Sequence, residues 1–244
     1  MKTAIITGTS YGLGFSLIQK LLDTGYKVYG ISRTETKIKN SNFVWLKCDL
    51  YSEKEIKDAV CKITEEKIDL IINNAGVVFA EDGLDINIDT FEKTFKINLL
   101  APILITGELK NKINGALIVN ISSTSDRFAE EKIGIYCASK SALGIYFQSV
   151  ALEYPEIKFL TILPVYIDTP MLKDISSKLN FSVDKPTKPE ILAESVSEII
   201  LSKNRFESGA KIMLLQENEI ESETGEHENL YYYNLDKKEI KKVK

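Results

Sequence analysis

The chain has 244 residues, of which 44% are apolar and 27% charged, with a net charge of −4. This composition is ordinary for a globular protein with a sizeable core, and the acidic balance argues against a nucleic-acid-binding surface, which usually needs a concentrated basic patch. No apolar run approaches the ~20 residues that span a bilayer. The three cysteines are scattered and form no C-x-x-C pair, so neither a disulfide framework nor a metal site is predicted.

No charged-then-apolar signal segment precedes the first apolar run, and we expect a cytoplasmic protein. His227 is the only histidine, and it lies in an acidic stretch near the C-terminus. Any Ser-His-Asp or Cys-His mechanism would have to use it. We therefore expect acid–base chemistry from another residue type.

Short apolar runs alternate with amphipathic segments along most of the chain. Strands are predicted at 4–7, 27–32, 43–46, 70–73, 116–121, 158–163 and 211–215, and helices at 13–22, 53–66, 90–109, 136–153 and 189–202. Ser52 and Asp89 are the predicted N-caps, and Gly25 closes the first helix. The alternation predicts βαβ units, with a parallel sheet covered by helices on both faces. No linker-like break interrupts it, which indicates a single domain.

Three segments depart from this pattern. Residues 125–134 form a polar loop, and residues 165–188, with two prolines and mixed polarity, are predicted to cover a site. Beyond residue 216 the chain becomes acidic, then aromatic, then rich in lysine. We predict a catalytic domain over 1–216 and a solvated C-terminal tail over 217–244.

A glycine-rich motif, T-G-T-S-Y-G-L-G at residues 7–14, joins the first strand to the first helix. Glycines allow a tight turn and close approach of a pyrophosphate, which the helix N-terminus then receives. The spacing is G-x-x-x-G-x-G rather than G-x-G-x-x-G. The strand–turn–helix context favours nucleotide binding over a simple turn.

Arg33 stands at the end of the second predicted strand, where a carboxylate would otherwise contact the ribose 2′-hydroxyl of a dinucleotide. A guanidinium there suits a 2′-phosphate and favours NADP over NAD. A solvent-facing arginine is the alternative, and Glu35 is a rival ribose partner.

Asparagines mark two further positions. The N-N-A-G run at 73–76 ends the fourth strand, where its side chains satisfy backbone groups or simply form a turn. Asn98 lies within an apolar helix and needs partners there. It either ties the helix to a strand or holds a water near the site.

Tyr136 and Lys140 are four residues apart, so they share one face of a helix, and Ser123 precedes Tyr136 by thirteen positions. A buried cation beside a phenol lowers the phenol's pKa from about 10 and makes it usable as an acid and base. By strand alternation, Ser122 faces away from Ser123, and Ser125 is a further candidate for the serine role.

In this order and spacing, the motifs at 7–14 and 73–76 with Asn98, Ser123, Tyr136 and Lys140 resemble the short-chain dehydrogenase/reductase family. The resemblance covers about residues 1–216. It implies an α/β fold with a Rossmann-type doubly wound parallel sheet of seven strands. It also implies hydride transfer between a nicotinamide cofactor and a carbonyl or alcohol carbon.

The resemblance also implies roles for single residues. Tyr136 would be the acid/base, Lys140 would lower its pKa and bind the nicotinamide ribose, and Ser123 would hydrogen-bond the substrate oxygen. Asn98 would hold a relay water. The predicted cofactor contacts are Gly8, Ser10, Tyr11, Gly12, Leu13, Gly14, Arg33, Asp49, Leu50, Asn74, Ala75, Gly76, Tyr136, Lys140, Pro164, Val165, Ile167 and Thr169.

We therefore expect a carbonyl reductase or alcohol dehydrogenase that prefers NADP(H), with NAD(H) as the alternative cofactor. A small or medium ketone, diketone or aldehyde would lie under the 165–188 segment, against the mostly apolar side chains of Phe128, Val165, Tyr166, Met171 and Leu172. The Y-C-A-S-K motif is similar to sepiapterin-reductase-like and benzil-reductase-like members. The family resemblance implies a homodimer or homotetramer assembled through the helix that carries Tyr136.

Two other functions compete with this one. The first is a catalytically silent nucleotide-sensing regulator, which is disfavoured because a pure binder has no use for the acid that Ser123, Tyr136 and Lys140 would form. The second is an epimerase or dehydratase with bound cofactor, for which the substrate region is short. Val165, where the family usually has glycine, and the charged loop 126–131 leave the substrate and the assembly open.

Overall fold

A computed structural model describes residues 1–215 and 230–242. Those residues form one sheet of nine strands in the order β3-β2-β1-β4-β5-β6-β7-β8-β9. The strands are β1 (Thr3–Thr7), β2 (Lys27–Ser32), β3 (Phe43–Lys47), β4 (Leu70–Asn73), β5 (Leu117–Ile121), β6 (Lys158–Pro164), β7 (Ala210–Leu215), β8 (Leu230–Asn234) and β9 (Glu239–Lys242). Neighbouring strands run parallel from β3 to β8, and β9 is antiparallel to β8.

Helices cover both faces of the sheet. They are α1 (Gly12–Asp23), α2 (Glu53–Val60), α3 (Ile88–Phe95), α4 (Ala101–Glu108), α5 (Gly134–Glu153), α6 (Pro170–Leu179) and α7 (Pro189–Leu201). Successive side chains of β1 enter opposite cores, as alternation requires. Ile6 packs with Leu17 of α1 and Val196 of α7, whereas Ile5 packs with Phe147 of α5. The predicted doubly wound α/β fold is confirmed.

The seven strands predicted from apolar runs are all present, with each end within one residue of its prediction. The predicted strand number is nevertheless wrong, because β8 and β9 extend the sheet beyond β7. They lie in the segment predicted as a solvated tail. Tyr231 and Tyr233 alternate on one face of β8 and are 9% and 1% exposed. The Tyr231 ring packs edge-on against Phe206, and the Tyr233 hydroxyl donates to Glu198 of α7.

The prediction of a solvated tail is therefore wrong for β8, because alternate tyrosines give this strand a face that packs against Phe206 and α7. The acidic stretch with His227 lies outside the described residues. None of the described helices is long and apolar enough to cross a bilayer.

Three helix predictions need correction. Helix α2 ends at Val60, not at residue 66, because the buried Ile63 leaves the helix and its carbonyl accepts from Lys112 at 2.8 Å. The N-cap of α3 is Asn87 rather than Asp89, and its side chain accepts from the first-turn N–H groups. The segment predicted as one helix over 90–109 contains a π-helical turn, Lys96–Leu100. The caps predicted at Ser52 and Gly25 are confirmed.

Candidate functional site

A cleft of about 850 Å³ opens at the carboxyl ends of the central strands. Its walls come from the turns after β1, β2, β3 and β4, the segment after β5, the start of α5 and the segment after β6. The strand order reverses between β1 and β4. Ligands of open α/β sheets bind at such a switch point, outside the carboxyl ends of the strands. This cleft is therefore the candidate active site.

The glycine turn places backbone, rather than side chains, against the cleft. Gly8 and Gly12 have φ values of +73° and +63°, in the left-handed region that favours glycine. A Cβ on Gly14 would lie 2.2 Å from the carbonyl oxygen of Gly8, so glycine there lets α1 pack against the turn. Gly8 and Gly12 line the cleft, whereas Gly14 supports the turn from behind.

Asn74 ties the turn after β4 to the turn after β1. Its side-chain amide donates to the carbonyl oxygens of Thr7 and Gly8, at 2.9 and 3.2 Å. The Thr7 hydroxyl oxygen accepts from the backbone N–H groups of Asn74 and Ala75, each at 3.0 Å. Of the two predicted alternatives, Asn74 satisfies backbone groups and thereby joins the ends of β1 and β4.

The end of β2 is held beside the glycine turn by hydroxyl groups. The Ser32 hydroxyl accepts from Thr9 at 3.0 Å and from the indole N–H of Trp45 at 3.1 Å. Arg33 is exposed and lines the cleft together with Ser32 and Thr34. Of the described residues, these three form the cleft wall at this strand end, and none is acidic. Glu35 is exposed and belongs to no part of that wall among the described residues.

Three side chains predicted to act together meet in the cleft. Ser123 follows β5, while Tyr136 and Lys140 lie one turn apart on α5, and all three line the cleft. The Tyr136 hydroxyl is hydrogen-bonded to Ser123. The Nζ atom of Lys140 lies 5.6 Å from the centre of the Tyr136 ring. A hydroxyl, a phenol and an ammonium group thus face one site.

Lys140 is only 3% exposed. Its Nζ donates to the carbonyl oxygen of Ile121 at 2.9 Å. Burial lowers the pKa of Lys140 to about 8, and the negative charge of Asp126 opposes this effect. Gly76 leaves room for the ammonium group, because a Cβ there would lie 3.4 Å from Nζ.

The pKa of Tyr136 differs from the sequence prediction. Burial raises it to about 12, and the hydrogen bond with Ser123 only partly offsets this. We predicted that Lys140 would lower this pKa. The net pKa is instead raised, because desolvation of the phenolate outweighs the effect of an ammonium group that is itself bonded to Ile121. Tyr136 is therefore a protonated phenol at neutral pH.

Asn98 lies in the π-helical turn and is completely buried. Its side-chain oxygen accepts from the Val77 N–H at 2.8 Å, and its nitrogen donates to the Val77 carbonyl at 2.9 Å and to Ser139 at 2.9 Å. The side chain thus ties this helical turn to the loop after β4 and to α5. Of the two predicted alternatives, these bonds agree with the structural tie rather than with a held water.

A buried ion pair lies beneath α5. Asp126 bonds to Lys211 of β7, and the two side chains are 1% and 11% exposed. Burial raises the pKa of Asp126, and the Lys211 charge opposes this. The backbone carbonyl of Asp126 accepts from Ser141 at 2.8 Å, and Ser122 approaches its carboxylate at 3.4 Å. These contacts hold the segment that carries Ser123 against the helix that carries Tyr136.

The segment 165–188 forms one wall of the cleft. Its two ends are tied together, since Thr187 donates to Tyr166 and accepts from Asp168, each at 2.9 Å. Between them lies α6, which the sequence analysis missed, although Thr169 caps it and Pro170 occupies its first turn. Val165, Tyr166, Met171 and Leu172 line the cleft as predicted. Phe128 was also predicted to line the cleft, and this prediction is wrong. Its loop turns outward, and the side chain is 44% exposed.

Most of the predicted cofactor contacts lie together. Those that line the cleft are Gly8, Ser10, Tyr11, Gly12, Leu13, Arg33, Asp49, Leu50, Asn74, Ala75, Gly76, Tyr136, Lys140, Pro164, Val165, Ile167 and Thr169. The sequence did not lead us to predict Glu130 as part of the cleft wall. The only feature that pointed to this residue was its position in the charged loop 126–131. The sequence analysis also missed Ile175 and Phe181, which belong to and follow α6.

Comparisons with known proteins agree with this geometry. Residues 2–180 match the short chain dehydrogenase family. Benzil reductase ((S)-benzoin forming) of Bacillus cereus is 29% identical over 249 residues, which cover 88% of this chain and 99% of the relative. The NAD(+)-dependent 15-hydroxyprostaglandin dehydrogenase of Bos taurus is 26% identical over 204 residues, 73% of each chain. A short chain dehydrogenase family protein from Francisella tularensis superposes with a TM-score of 0.81 at 24% identity, covering 87% of this chain and 96% of that chain.

The chain belongs to the short-chain dehydrogenase/reductase family. It is an oxidoreductase that acts on CH–OH or C=O groups with a nicotinamide cofactor.

Proposed function

We propose that this protein is an NADP(H)-preferring carbonyl reductase or alcohol dehydrogenase in which Tyr136 is the acid and base. The observation that carries the proposal is the meeting of Ser123, Tyr136 and Lys140 in one cleft with the glycine turn of β1. A protein that only bound a nucleotide would need the turn but would have no use for a buried phenol and ammonium group facing the same space.

The residues around the glycine turn fit a dinucleotide. A Cβ on Gly8 would lie 2.9 Å from Cα of Ala75, so the two turns approach closely. Tyr11 occupies the N-cap of α1 without a side-chain bond to the first turn, and the backbone N–H groups of such a helix N-terminus suit a phosphate. Gly8, Ser10, Gly12 and Leu13 would hold the pyrophosphate. The remaining contacts would be Tyr136 and Lys140 at the nicotinamide ribose, Asp49 and Leu50 at the adenosine end, and Pro164, Val165, Ile167 and Thr169 beside the nicotinamide.

The bound cofactor would supply or accept the hydride at the carbonyl or alcohol carbon. The protein's part is proton transfer and orientation. As negative charge develops on the substrate oxygen, Ser123 donates a hydrogen bond to it and Tyr136 transfers its proton. The raised pKa of Tyr136 keeps the phenol protonated until an alkoxide, a much stronger base than a phenolate, is formed.

Lys140 acts on Tyr136 once the proton has left. Its ammonium group lies 5.6 Å from the ring centre, close enough to favour the negative charge that the phenolate then carries. We further propose that the helical turn, which the Asn98 side chain fixes through its bonds to Val77, positions the relay water that the family resemblance implies.

Substrate selection falls to the segment 165–188. Val165, Met171, Leu172 and Ile175 give the cleft an apolar wall, and Tyr166 and Phe181 add aromatic rings whose centres lie 5.9 Å apart. This wall suits an uncharged ketone, diketone or aldehyde of small or medium size. We also propose assembly as a homodimer or homotetramer through α5, on which Ile145 and Leu152 are 63% and 86% exposed.

A substrate panel tests the function directly. We expect the purified protein to oxidise NADPH faster than NADH when ketones, diketones, aldehydes or pterins are added, with the reaction followed by nicotinamide absorbance. Binding of NADPH without turnover on any of these carbonyl compounds, or on the matching alcohols with NADP⁺, would instead identify a nucleotide-sensing protein.

Arg33→Asp tests the cofactor preference. The guanidinium lies at the end of β2 beside Ser32 and Thr34, where it can bind a 2′-phosphate, whereas a carboxylate there suits a ribose 2′-hydroxyl. We expect kcat/KM with NADPH to fall about tenfold or more, one charge-assisted contact being worth about 1.5–3 kcal/mol, while kcat/KM with NADH is retained. Glu35→Gln is the matched control and should leave both values unchanged. Equal losses for the two cofactors in Arg33→Asp would refute the phosphate contact.

A further inference from the structure

The wall of the cleft that faces the substrate is mostly apolar but holds a carboxylate. Glu130 lies in the loop between β5 and α5, lines the cleft and is partly exposed. Burial raises the pKa of Tyr136, and the Glu130 charge adds to this effect, so the carboxylate lies within electrostatic range of the phenol. Ligand sites are commonly apolar with a few polar groups that fix the orientation of the ligand. Glu130 has the position of such a group.

Two hydroxyl groups from different parts of the cleft wall hold this carboxylate in place. The Ser125 hydroxyl, which is almost fully buried, donates to Oε1. The Tyr166 hydroxyl, from the segment 165–188, donates to Oε2 at 3.0 Å. Both donors are uncharged, and each carboxylate oxygen can accept a second hydrogen bond. Glu130 therefore combines a fixed position with a negative charge and a remaining acceptor site on each oxygen.

The lysines of the cleft wall are engaged with other carboxylates. Lys132 is ion-paired with Asp82 at 3.1 Å, and Lys178 with Asp174 at 2.7 Å. Both lysines are exposed, so solvent screens their charges. Among the described residues, the side-chain partners of Glu130 are the two neutral hydroxyl groups. This end of the cleft therefore offers a negative charge to a ligand.

Aromatic rings lie beside the carboxylate. Tyr166 and Phe181 line the cleft, and their ring centres are 5.9 Å apart. An ammonium group that reaches a carboxylate flanked by aromatic rings gains from both, because the faces of the rings also attract positive charge. A carboxylate on the ligand would instead meet a like charge in a site that is partly shielded from solvent. The two features thus favour the same kind of ligand group.

We propose that Glu130 determines substrate specificity by binding an amino group on the carbonyl substrate and by rejecting substrates that carry a carboxylate. The inference rests on the proposed function and narrows it. The ketone or aldehyde would have an apolar body against the 165–188 wall and an N–H donor that reaches Glu130. Since this contact is made away from the reacting carbon, Glu130 takes no part in the transfer of hydride or proton.

Three ketones of similar size test the proposal. They share an acetophenone body, and the para group is aminomethyl, ethyl or carboxylate. At neutral pH the first carries an ammonium group, the second has neither charge nor donor, and the third is an anion. We expect the native protein to favour them in that order, with kcat/KM about tenfold or more higher for the ammonium compound than for the ethyl compound, as one hydrogen bond to a charged group implies.

Glu130→Gln removes the charge and keeps the size of the side chain. We expect kcat/KM for the ammonium compound to fall about tenfold or more. The loss should appear mainly in KM, because a contact away from the reacting carbon stabilises the ground state and the transition state alike. The value for the carboxylate compound should rise, and that for the ethyl compound should stay unchanged. Glu130→Lys should reverse the order of the two charged compounds.

Glu131→Gln separates a specific contact from the general charge of the loop. Glu131 is the exposed neighbour of Glu130, so solvent screens its charge, and its loss should alter the preference much less. A compound that is turned over too slowly can be compared through its competitive inhibition constant against the best carbonyl substrate, at saturating NADPH.

Three results would each overturn the inference. They are an unchanged preference in Glu130→Gln, equal effects of Glu130→Gln and Glu131→Gln, and a native protein that favours the ethyl compound over the ammonium compound. Absence of NADPH oxidation with every carbonyl compound tried would instead refute the proposed function, and with it the substrate role of Glu130.

Discussion

Replacing Tyr136 with phenylalanine is expected to lower kcat by about 10²–10⁴-fold, the usual range for loss of a general acid. The substitution removes only the hydroxyl oxygen, which bonds to Ser123 and faces the cleft. The glycine turn and Lys140 keep their places, so NADPH should bind with nearly native affinity. Steady-state turnover on the best carbonyl substrate measures the loss, and NADPH fluorescence titration measures the binding.

Tyr146→Phe is the matched control for this experiment. Tyr146 lies on the same helix, 39% exposed and outside the cleft, and we expect its loss of a hydroxyl to leave turnover unchanged. If Tyr136→Phe retained native turnover, Tyr136 would not be the acid. If it lost NADPH binding as well, the phenol would serve the cofactor site and the fall in kcat would carry no information about proton transfer.

Asp126→Ala is expected to destabilise the fold by about 3–5 kcal/mol, the usual cost of removing one partner of a buried ion pair. The remaining Lys211 ammonium group would be left in a space where its side chain is only 11% exposed. Glycine at position 144 of α5 leaves room for the ion pair, because a Cβ there would lie 2.2 Å from the Asp126 carboxylate. Urea unfolding followed by circular dichroism measures the change in the free energy of unfolding.

The double variant Asp126→Leu/Lys211→Met should recover much of this loss, because apolar side chains of similar size remove the uncompensated charge. Asp58→Ala is the surface control. Its partner Lys54 is 85% exposed, and we expect no measurable change in stability. A loss below about 1 kcal/mol in Asp126→Ala, the range of exposed pairs, would show that Lys211 finds solvent or another partner.

Local patterns predicted a large part of this structure correctly. The seven apolar runs became seven strands because a buried parallel strand needs little more than a short apolar segment. The glycine motif at 7–14 formed the turn between β1 and α1, since two of its positions adopt φ values that favour glycine. Tyr136 and Lys140 face one cleft because residues four apart share a helix face.

Other features depend on residues far apart in the chain. Asp126 meets Lys211 across 85 positions, and Glu130 meets Tyr166 across 36. In the sequence, both carboxylates belong to one charged loop. Only the folded structure shows that Asp126 belongs to a buried ion pair, whereas Glu130 is partly exposed in the cleft wall.

Segments with mixed polarity were the hardest to predict. The tyrosines of β8 look polar in the sequence and follow an acidic stretch, yet two of them are buried against α7 and Phe206. The loop that carries Phe128 looked like part of the substrate wall and turns outward. In both cases the pattern gives the size and polarity of the side chains but not the neighbours that cover them.

The sequence by itself determined the order of strands and helices, the glycine-rich turn between β1 and α1, and the helix face shared by Tyr136 and Lys140, because each depends on residues close together in the chain. Tertiary structure decided the direction of the pKa shifts in that pair. Burial raises the pKa of Tyr136 to about 12 and lowers that of Lys140 to about 8, whereas the spacing alone predicted a lowered tyrosine pKa. Desolvation is a property of everything packed around a group, and no local pattern contains it.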